Sequence, residues 1–225
     1  PNHWSGDLRL GLNFSQGNRQ WTQAYARGKL EIKPEKSPHY YRYIGSYTYR
    51  YNKRSSGTEY KSVDKYDLQF IYRHTLSDNW FVQNTLNSRV DQIKGIDREL
   101  QESVGIGYSL KPSSKLELIV GAGGGIEYFD VEYKDPRSGT SPLINVFQEV
   151  LWNPFNKTSF AQEFSYYFNP EDNNQYGYLL TAGVRIRLTD LLGLEFSFNK
   201  TYDNDISDND AKNDTQWRNS VVFYF

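Results

Sequence analysis

Apolar and polar residues alternate along most of the chain, in segments that are separated by turn-forming residues. In residues 97–110, for example, Leu100, Val104 and Ile106 share one face of an extended chain, and Gln101 and Ser103 share the other. A period of two residues is typical of β-strands with one apolar and one polar face. The pattern predicts twelve strands, at residues 5–15, 20–33, 39–52, 62–75, 79–91, 97–110, 115–131, 143–153, 157–169, 175–188, 191–202 and 215–225.

The predicted strands are longer than those of most soluble β proteins. They mostly span about 11–15 residues, whereas strands of a soluble sandwich or a lipocalin-like barrel are typically ~5–6 residues long. Strands that cross a membrane alternate in the same way over about ten residues. We therefore predict a single domain over residues 1–225, an all-β, twelve-stranded antiparallel transmembrane β-barrel of the outer-membrane type. A soluble β protein is the alternative.

The connections between the predicted strands differ between the two ends of the barrel. One set is short and rich in Pro, Asn, Asp and Ser, which favour tight turns: residues 34–39, 76–79, 111–114, 153–156 and 189–192. The other set, apart from residues 15–19, is longer and more polar: residues 51–62, 91–99, 131–142, 169–175 and 203–214. Outer-membrane barrels have short periplasmic turns and long extracellular loops. An even number of strands then places both termini in the periplasm.

Aromatic residues collect at the ends of the predicted strands. Near the short turns they are Trp4, Tyr41, Trp80, Trp152, Phe155 and Phe225. Near the long loops they are Trp21, Tyr60, Tyr133, Tyr166, Tyr176 and Trp217. Two aromatic belts are typical of the two interfaces of a membrane.

The last predicted strand remains apolar to its final residue. Trp217, Val221, Phe223 and Phe225 fall on one of its faces. An unpaired apolar edge strand would promote aggregation, whereas a closed barrel pairs its last strand with its first and leaves no edge. We therefore expect the last strand to close the barrel and Phe225 to face lipid.

Composition excludes several classes of function. The net charge is -1, so nothing favours nucleic acid as a partner. Cysteine is absent, which excludes disulfides, zinc–thiolate sites and a thiol nucleophile. No cofactor is indicated.

The strand period also predicts which charged residues face the lumen. The expected pore-lining set is Arg27, Arg42, Arg50, Arg73, Arg89, Arg185, Arg187, Glu117, Glu127, Glu149, Glu163 and Glu195. Arginines dominate the second to fifth and tenth predicted strands, and glutamates the seventh to ninth and eleventh. In a round barrel, a basic wall would then oppose an acidic wall and orient polar or zwitterionic solutes. The alternative is that these charges pair and fill the interior, as in small barrels.

Two further motifs suggest binding sites and have simpler structural explanations. Residues 203–214 contain Asp203, Asp205 and Asp214, but they lack the glycine and the final glutamate of a calcium-binding EF-hand loop. A solvated loop is the default interpretation, calcium binding stays open, and no metal site is assigned. Residues 120–129 are glycine-rich, but no helix and no lysine follow as in a phosphate-binding loop. There we expect a kink in the barrel, or space for an arginine of a neighbouring strand.

The sequence offers little for catalysis, and we expect that the protein is not an enzyme. His74 lies near Ser77, but Ser77 is in a predicted turn. The G-x-S-x-G motif of serine hydrolases is absent. Glu149 and Glu163 lie on adjacent predicted strands, as an acid–base pair would, and pairing with arginine is the simpler interpretation.

Four stretches resemble one bacterial family. They are "WSGDLRLGLNFSQGNRQ" (4–20), "LSDNWFVQNTLNSRVDQIKGIDRE" (76–99), "LIVGAGGGIEYFD" (118–130) and "NDTQWRNSVVFYF" (213–225). On them the chain resembles the salt-induced outer membrane protein family over nearly its full length. The resemblance implies an integral protein of the outer membrane of Gram-negative bacteria, in contact with lipid and lipopolysaccharide. A final strand that ends in Phe225 also resembles the signal by which the barrel assembly machinery recognises its clients.

Two functions are compatible with this sequence. The first is a narrow channel, or porin, for small polar or charged solutes. The second is a closed barrel that anchors an unidentified protein partner or supports the envelope under stress, as the salt response implied by the family resemblance suggests. Twelve strands are also typical of small oligosaccharide channels of the oligogalacturonate and sialic-acid porin type, but no motif unique to them is present.

Overall fold

The described part of the chain consists of twelve β-strands. The computed structural model describes residues 3–15, 20–54, 56–131, 138–204 and 212–225. The strands are β1 (Trp4–Ser15), β2 (Gln20–Ile32), β3 (His39–Lys53), β4 (Glu59–Thr75), β5 (Trp80–Asp91), β6 (Ile96–Ser113), β7 (Leu116–Val131), β8 (Gly139–Phe155), β9 (Thr158–Asn169), β10 (Asp172–Arg187), β11 (Leu192–Asp203) and β12 (Asn213–Tyr224). No helix of the described residues is long and apolar enough to cross a membrane.

The strands form one closed antiparallel barrel in which each strand pairs with its neighbours in sequence and β12 returns to β1. This confirms the predicted all-β, twelve-stranded barrel. Both chain ends lie at one end of the barrel, which we call the terminal end; the opposite end is the far end. The ring of Trp4 lies 6.1 Å from that of Phe225 there.

The connections at the far end are shorter than the sequence predicted. Residues 91–99 and 169–175 were expected to be long loops, but the strands leave only residues 92–95 and 170–171 between them. The polar extensions of the strands continue to pair, as where Asp172 of β10 lies opposite Asn169 of β9. Backbone pairing does not require apolar side chains, so the hydropathy pattern alone predicted strand ends several residues too early.

The two faces of the wall have opposite character, as in a barrel that lies in lipid. Leu8, Leu10 and Leu12 of β1 are exposed on the outer face, whereas Asp7 and Arg9 are buried in the lumen. An apolar exterior and a polar interior invert the arrangement of a soluble protein and match that of a transmembrane barrel.

Aromatic residues lie near both ends of the barrel, but two of those predicted for the outer belt lie on its inner face. Trp80 packs against Tyr108 at the terminal end, and Tyr176 packs against Tyr202 at the far end. Trp21 was expected in the outer belt, but Arg50 of the lumen lies 5.3 Å from its ring centre. The alternation places Trp21 on the same face as Gln23, so it belongs to the lumen. A shift of register in β4 places Tyr60 opposite Asn52, which is also the partner of Trp21 and donates to the Tyr60 hydroxyl at 3.3 Å. Tyr133 lies outside the described residues.

The seam between β1 and β12 is short. Its paired residues run only from Asp7 opposite Tyr224 to Leu10 opposite Val221. Beyond them, the backbones of Gly6 and Phe225 exchange two hydrogen bonds of 2.9 and 3.1 Å. The final residue therefore takes part in closing the barrel, as expected.

The glycines of β6 and β7 provide space for aromatic rings of the lumen. A Cβ atom at Gly121 would collide with the ring of Phe147, and one at Gly107 with the ring of Phe81. Space for an arginine was one of the two expected alternatives, but the space is filled by these phenylalanines, which form a buried cluster with Ile119. Strands β6 and β8 also approach each other across β7, so the wall bends sharply there. The expected kink is therefore present.

The glycine wall yields a first prediction. Gly121→Ala should reduce the free energy of unfolding by about 1–3 kcal/mol, because overpacking forces Phe147 and the backbone to move. Gly124→Ala is the matched control: Gly124 lies on the outer face of the same strand, and its added Cβ would be 3.7 Å from the nearest atom outside its neighbours. Urea unfolding in lipid vesicles measures both variants. Equal stability of the two would show that the Phe147 ring does not depend on Gly121.

Candidate functional site

A group of ion pairs crosses the lumen toward the terminal end. Arg42 of β3 donates to Glu149 of β8 at 2.8 Å and lies 3.9 Å from Glu163 of β9. Arg73 of β4 also donates to Glu149, and its Nε donates to Gln83 at 2.7 Å. We call Arg42, Arg73, Glu149 and Glu163 the terminal bridge. It connects the β3–β4 wall to the β8–β9 wall.

A second group crosses the lumen toward the far end. Asp203 of β11 accepts from Arg89 of β5 at 3.1 Å and from Lys94 of the β5–β6 turn at 2.9 Å. Tyr167 donates its hydroxyl to the same carboxylate. Arg89 also donates to Glu99 at 2.6 Å. We call Arg89, Lys94, Glu99, Tyr167 and Asp203 the far bridge.

The two bridges require a flattened barrel. Strands β5 and β11 lie on opposite sides of the ring, and so do β3 and β9. A circular twelve-stranded barrel would be about 24 Å across between backbones, given a strand spacing of ~4.8 Å and a tilt of ~40°. An arginine and an aspartate side chain together cannot span that distance. Opposite walls therefore approach each other, and the interior is a slit with two cross-connections.

A chamber of ≈ 200 Å³ lies between the two bridges. Its wall contains side chains of both charges, among them Arg27, Asp67, Glu163 and Arg218, and the amides of Gln69, Asn87, Gln101 and Asn199. Arg218 stacks on Tyr25, with 4.1 Å between its guanidinium carbon and the ring centre. We call this space the central chamber. A smaller space of ≈ 70 Å³ lies in the lumen beside Arg42 and Glu149, whereas two apolar concavities are on the outer face.

A third charge group lies behind the seam. Arg9 donates to Asp7 at 2.8 Å and to Glu195 at 3.1 Å. Arg185 donates to Glu195 at 2.7 Å and lies 3.5 Å from Asp7. These pairs join β1, β10 and β11, so they reinforce the wall where the seam is short.

Four other residues of the predicted pore-lining set make contacts with near neighbours in the wall. Arg50 donates to Gln23 at 2.7 Å. Arg187 is exposed at the terminal end and donates to the Asp190 carbonyl. Glu117 accepts from Ser109 at 2.8 Å and lies near Lys111, and Glu127 accepts from Gln101 at 3.0 Å. Opposed basic and acidic side chains therefore meet across the lumen at the terminal bridge and at the far bridge.

Several residues of the site were missed in the sequence. They are Lys65, Lys94, Glu99, Asp203 and Asp214. For most of them the strand period indicates a position in the lumen, because it places Glu99 on the same strand face as Gln101, Lys65 on that of Asp67, and Asp203 on that of Glu195. Lys94 had no such signal, because it belongs to a turn whose direction only the folded chain sets.

Two candidate calcium ligands of residues 203–214 make other contacts. Asp203 is buried in the far bridge, and Asp214 accepts from Gln216 at 2.6 Å and lies 3.9 Å from Lys65. Asp205, Asp208 and Asp210 lie outside the described residues. Within the described ranges, no group of three or more His, Asp or Glu residues is placed to hold a metal ion.

The histidines do not form a catalytic arrangement with serine. His74 contacts His39, with ring centres 5.1 Å apart, and His39 is hydrogen-bonded to the Tyr72 hydroxyl at 2.8 Å. Ser77 accepts from the Trp80 backbone instead. Glu149 and Glu163 lie opposite each other on β8 and β9, but Arg42 contacts both carboxylates and Arg73 contacts that of Glu149.

A known family covers nearly the whole chain. The family described as "Protein of unknown function, DUF481" matches residues 8–225. No curated protein matches the chain significantly.

Solved outer-membrane barrels share the fold. The NanC porin has 12% sequence identity and a TM-score of 0.53, over 97% of each chain. An outer membrane channel from Pseudomonas putida F1 has 8% identity and a TM-score of 0.57, over 100% of this chain and 95% of that one. The KdgM porin in complex with disordered oligogalacturonate has 7% identity and a TM-score of 0.51, over 98% and 99%. At these identities the likeness concerns the fold.

The terminal bridge yields a second prediction. Glu149→Gln should reduce the free energy of unfolding by about 3–5 kcal/mol, because Arg42 and Arg73 lose their shared buried carboxylate. Glu117→Gln is the matched control, since Glu117 is a half-exposed lumen glutamate, and it should cost less than about 1 kcal/mol. Urea unfolding in vesicles compares them. Similar losses would mean that water in the slit screens the terminal bridge.

Proposed function

The chain belongs to the family described as "Protein of unknown function, DUF481", and we propose that it is a narrow channel for small polar or charged solutes in a bacterial outer membrane. The fold that it shares with outer-membrane porins and channels supports this location. In the proposed orientation both termini are periplasmic, so the terminal end of the barrel faces the periplasm.

The observation that carries the proposal is the central chamber. A barrel that served only as a scaffold could fill its interior completely, as small barrels do. Here an internal space of ≈ 200 Å³ is kept open between the two bridges, and charged and amide side chains line it. A polar space inside a membrane protein suits a solute that lipid excludes.

The two bridges are the constrictions through which a solute would pass. A charged solute can replace one partner of an ion pair: an anionic group would bind Arg42 in place of Glu149, and a cationic group would bind Glu149 in place of Arg42. Rings of charged side chains set selectivity in pores. Because each bridge contains both signs, we expect weak charge selectivity. The shared Glu149 carboxylate makes the terminal bridge the tighter constriction, together with the apolar cluster of Phe81 and Phe147.

The second candidate is a closed barrel that anchors a partner or supports the envelope. The same cross-lumen pairs favour it, because they join opposite walls and stiffen the slit. The resemblance of the sequence to the salt-induced outer membrane proteins fits a role under osmotic stress. In this case the central chamber would hold only water.

The partners of the proposed protein follow from its surface. The apolar outer face suits lipid and, at the extracellular end, lipopolysaccharide. The last strand, which ends at Phe225, is proposed as the segment that the barrel assembly machinery recognises. We propose no enzymatic activity, no cofactor and no nucleic-acid partner.

Planar-bilayer recording separates the two candidates. The purified protein should show small, discrete openings, and the reversal potential across a salt gradient should reveal weak selectivity. The triple variant Arg42→Gln, Arg73→Gln and Glu149→Gln removes the shared carboxylate together with both arginines that donate to it. Among the described charged residues, only Glu163, whose side chain is 40% exposed and therefore hydrated, loses a partner, and the conductance of the variant should be higher. Glu117→Gln, at the rim, should conduct like the parent protein.

One result would contradict the channel, and another would contradict the terminal bridge as its limiting constriction. The first is a silent bilayer for both the parent and the triple variant, with insertion confirmed by protease protection. The second is equal conductance of the two proteins, which would place the limiting constriction elsewhere. The first result would favour the closed barrel.

A further inference from the structure

We propose that the central chamber is a binding site for a small zwitterion, a solute that carries one carboxylate and one ammonium group. The inference rests on the proposed channel for the route by which the solute arrives. The site itself is argued from two side chains of opposite charge, Arg27 and Asp67.

Arg27 and Asp67 both line the central chamber, and neither has an ion pair or a hydrogen bond within the described residues. Other charges there are matched: Arg89 pairs with Glu99 and Asp203, and Lys65 lies near Asp214. Both side chains are half-buried, and a charge that is partly removed from water is destabilising unless a partner compensates it. Two such charges in one chamber indicate that something outside the chain completes them.

The register places the two residues at one level of the wall. Arg27 lies opposite Ser46, and Ser46 lies opposite Asp67. The two backbones are therefore two strand spacings apart, about 10 Å. A small molecule can lie between the two side chains and contact both.

The charges define the ligand class. Guanidinium binds a carboxylate through two parallel hydrogen bonds, so Arg27 would hold the carboxylate and Asp67 the ammonium group. A simple anion would be repelled by Asp67 and by Glu163, whose side chain is 40% exposed. A simple cation would be repelled by Arg27 and Arg218. Amides such as Asn87 and Gln101 are available to the rest of the solute.

Saturation-transfer NMR on the folded barrel in micelles tests the site without requiring conduction. L-alanine is the probe, and sodium lactate and propylammonium chloride are its singly charged analogues. Alanine should bind, and both analogues should bind more weakly. Arg27→Gln and Asp67→Asn should each weaken alanine binding about tenfold, the size expected for one charged hydrogen bond. Lys157→Gln, in an exposed turn, should leave it unchanged.

The outcomes distinguish this inference from the proposed channel. Lactate or propylammonium binding as well as alanine, or no alanine binding at all, would overturn the zwitterion site even if the bilayer recordings show a channel. Alanine binding that both variants weaken would support the site even if the bilayer is silent, in which case the channel would be wrong.

An independent observation concerns the outer face, where polar side chains lie at membrane depth. Glu102 of β6 is exposed there, and Asn84 of β5 donates to it at 3.4 Å. Glu102 is six residues from Tyr108, which packs on Trp80 in the belt at the terminal end. At ~3.4 Å per residue and ~40° tilt, Glu102 lies about 15 Å from that belt, near the middle of the apolar band.

We infer that this polar patch, defined by Asn84, Ser88 and Glu102, is an interface with a second copy of the chain. Acyl chains cannot hydrogen-bond to it, and lipid headgroups do not reach that depth. Ionisable groups inside a membrane usually face protein. A twofold axis along the membrane normal brings equal depths together, so that Asn84 of each copy can donate to Glu102 of the other. The opposite side of the barrel carries the exposed apolar residues Leu194, Phe196 and Val221 beside Asn219, and no carboxylate is among them.

Disulfide cross-linking in native membranes tests the interface, because the chain contains no cysteine. Leu86 lies opposite Glu102 and is exposed on the outer face, so Leu86→Cys should form covalent dimers. Phe196→Cys is the matched control, exposed on the opposite side of the ring, and it should remain monomeric. Adding Asn84→Leu and Glu102→Leu to Leu86→Cys should reduce the dimer roughly threefold to thirtyfold, the range for hydrogen bonds between membrane segments.

Three results would overturn this interface. They are equal cross-linking at both cysteines, which indicates random collision, no cross-linking at Leu86→Cys, and cross-linking that is unchanged by the leucine substitutions.

Discussion

Closure of the backbone hydrogen bonds is the constraint on which the rest of this structure depends. A strand in lipid has no water to satisfy its N–H and C=O groups, so each strand must find a partner on both sides. Here the ring is completed where β1 meets β12, over a few residue pairs and the final residue Phe225. Once the ring is closed, the period of two assigns each side chain either to lipid or to the lumen. The polar interior is a consequence of that assignment.

The interior must then satisfy its own charges, and it does so by bringing the walls together. Arg42 and Arg89 meet carboxylates of the opposite wall. At the β6–β7 bend, glycines let the backbones curve sharply and make space for Phe81 and Phe147. The flattened section and the sharp bend are thus two aspects of one packing solution. It leaves a central chamber and two constrictions, and this division is why both a channel and a closed barrel fit the fold.

The proposed functions differ in what they require of the same contacts. A channel needs the ion pairs of the terminal bridge to exchange partners, whereas a scaffold needs them to persist. The chamber favours the channel, because Arg27 and Asp67 remain unpaired beside neighbours whose charges are matched. On the outer face, Glu102 has the same lack of a strong partner. In both places, charged side chains of the described chain lack a strong partner, which a ligand or a second copy of the chain would supply.

The sequence by itself determined the fold to within a few residues per strand, because a period of two over long segments is a local property of the chain. It also determined that Arg42, Glu149 and their neighbours face the lumen, since the period of two assigns each residue of a strand to one face. Only the tertiary structure decided which of them meet. Glu99 pairs with Arg89 of the adjacent strand, whereas Asp203 pairs with the same arginine from the opposite side of the ring. The strand period alone predicts only that both carboxylates face the lumen. The difference depends on how far the ring flattens, which is set by all twelve strands together. Trp21 faces inward by the same period as Gln23, so its side of the wall was already determined by the sequence. Lys94 reaches the lumen from a turn, where no period applies.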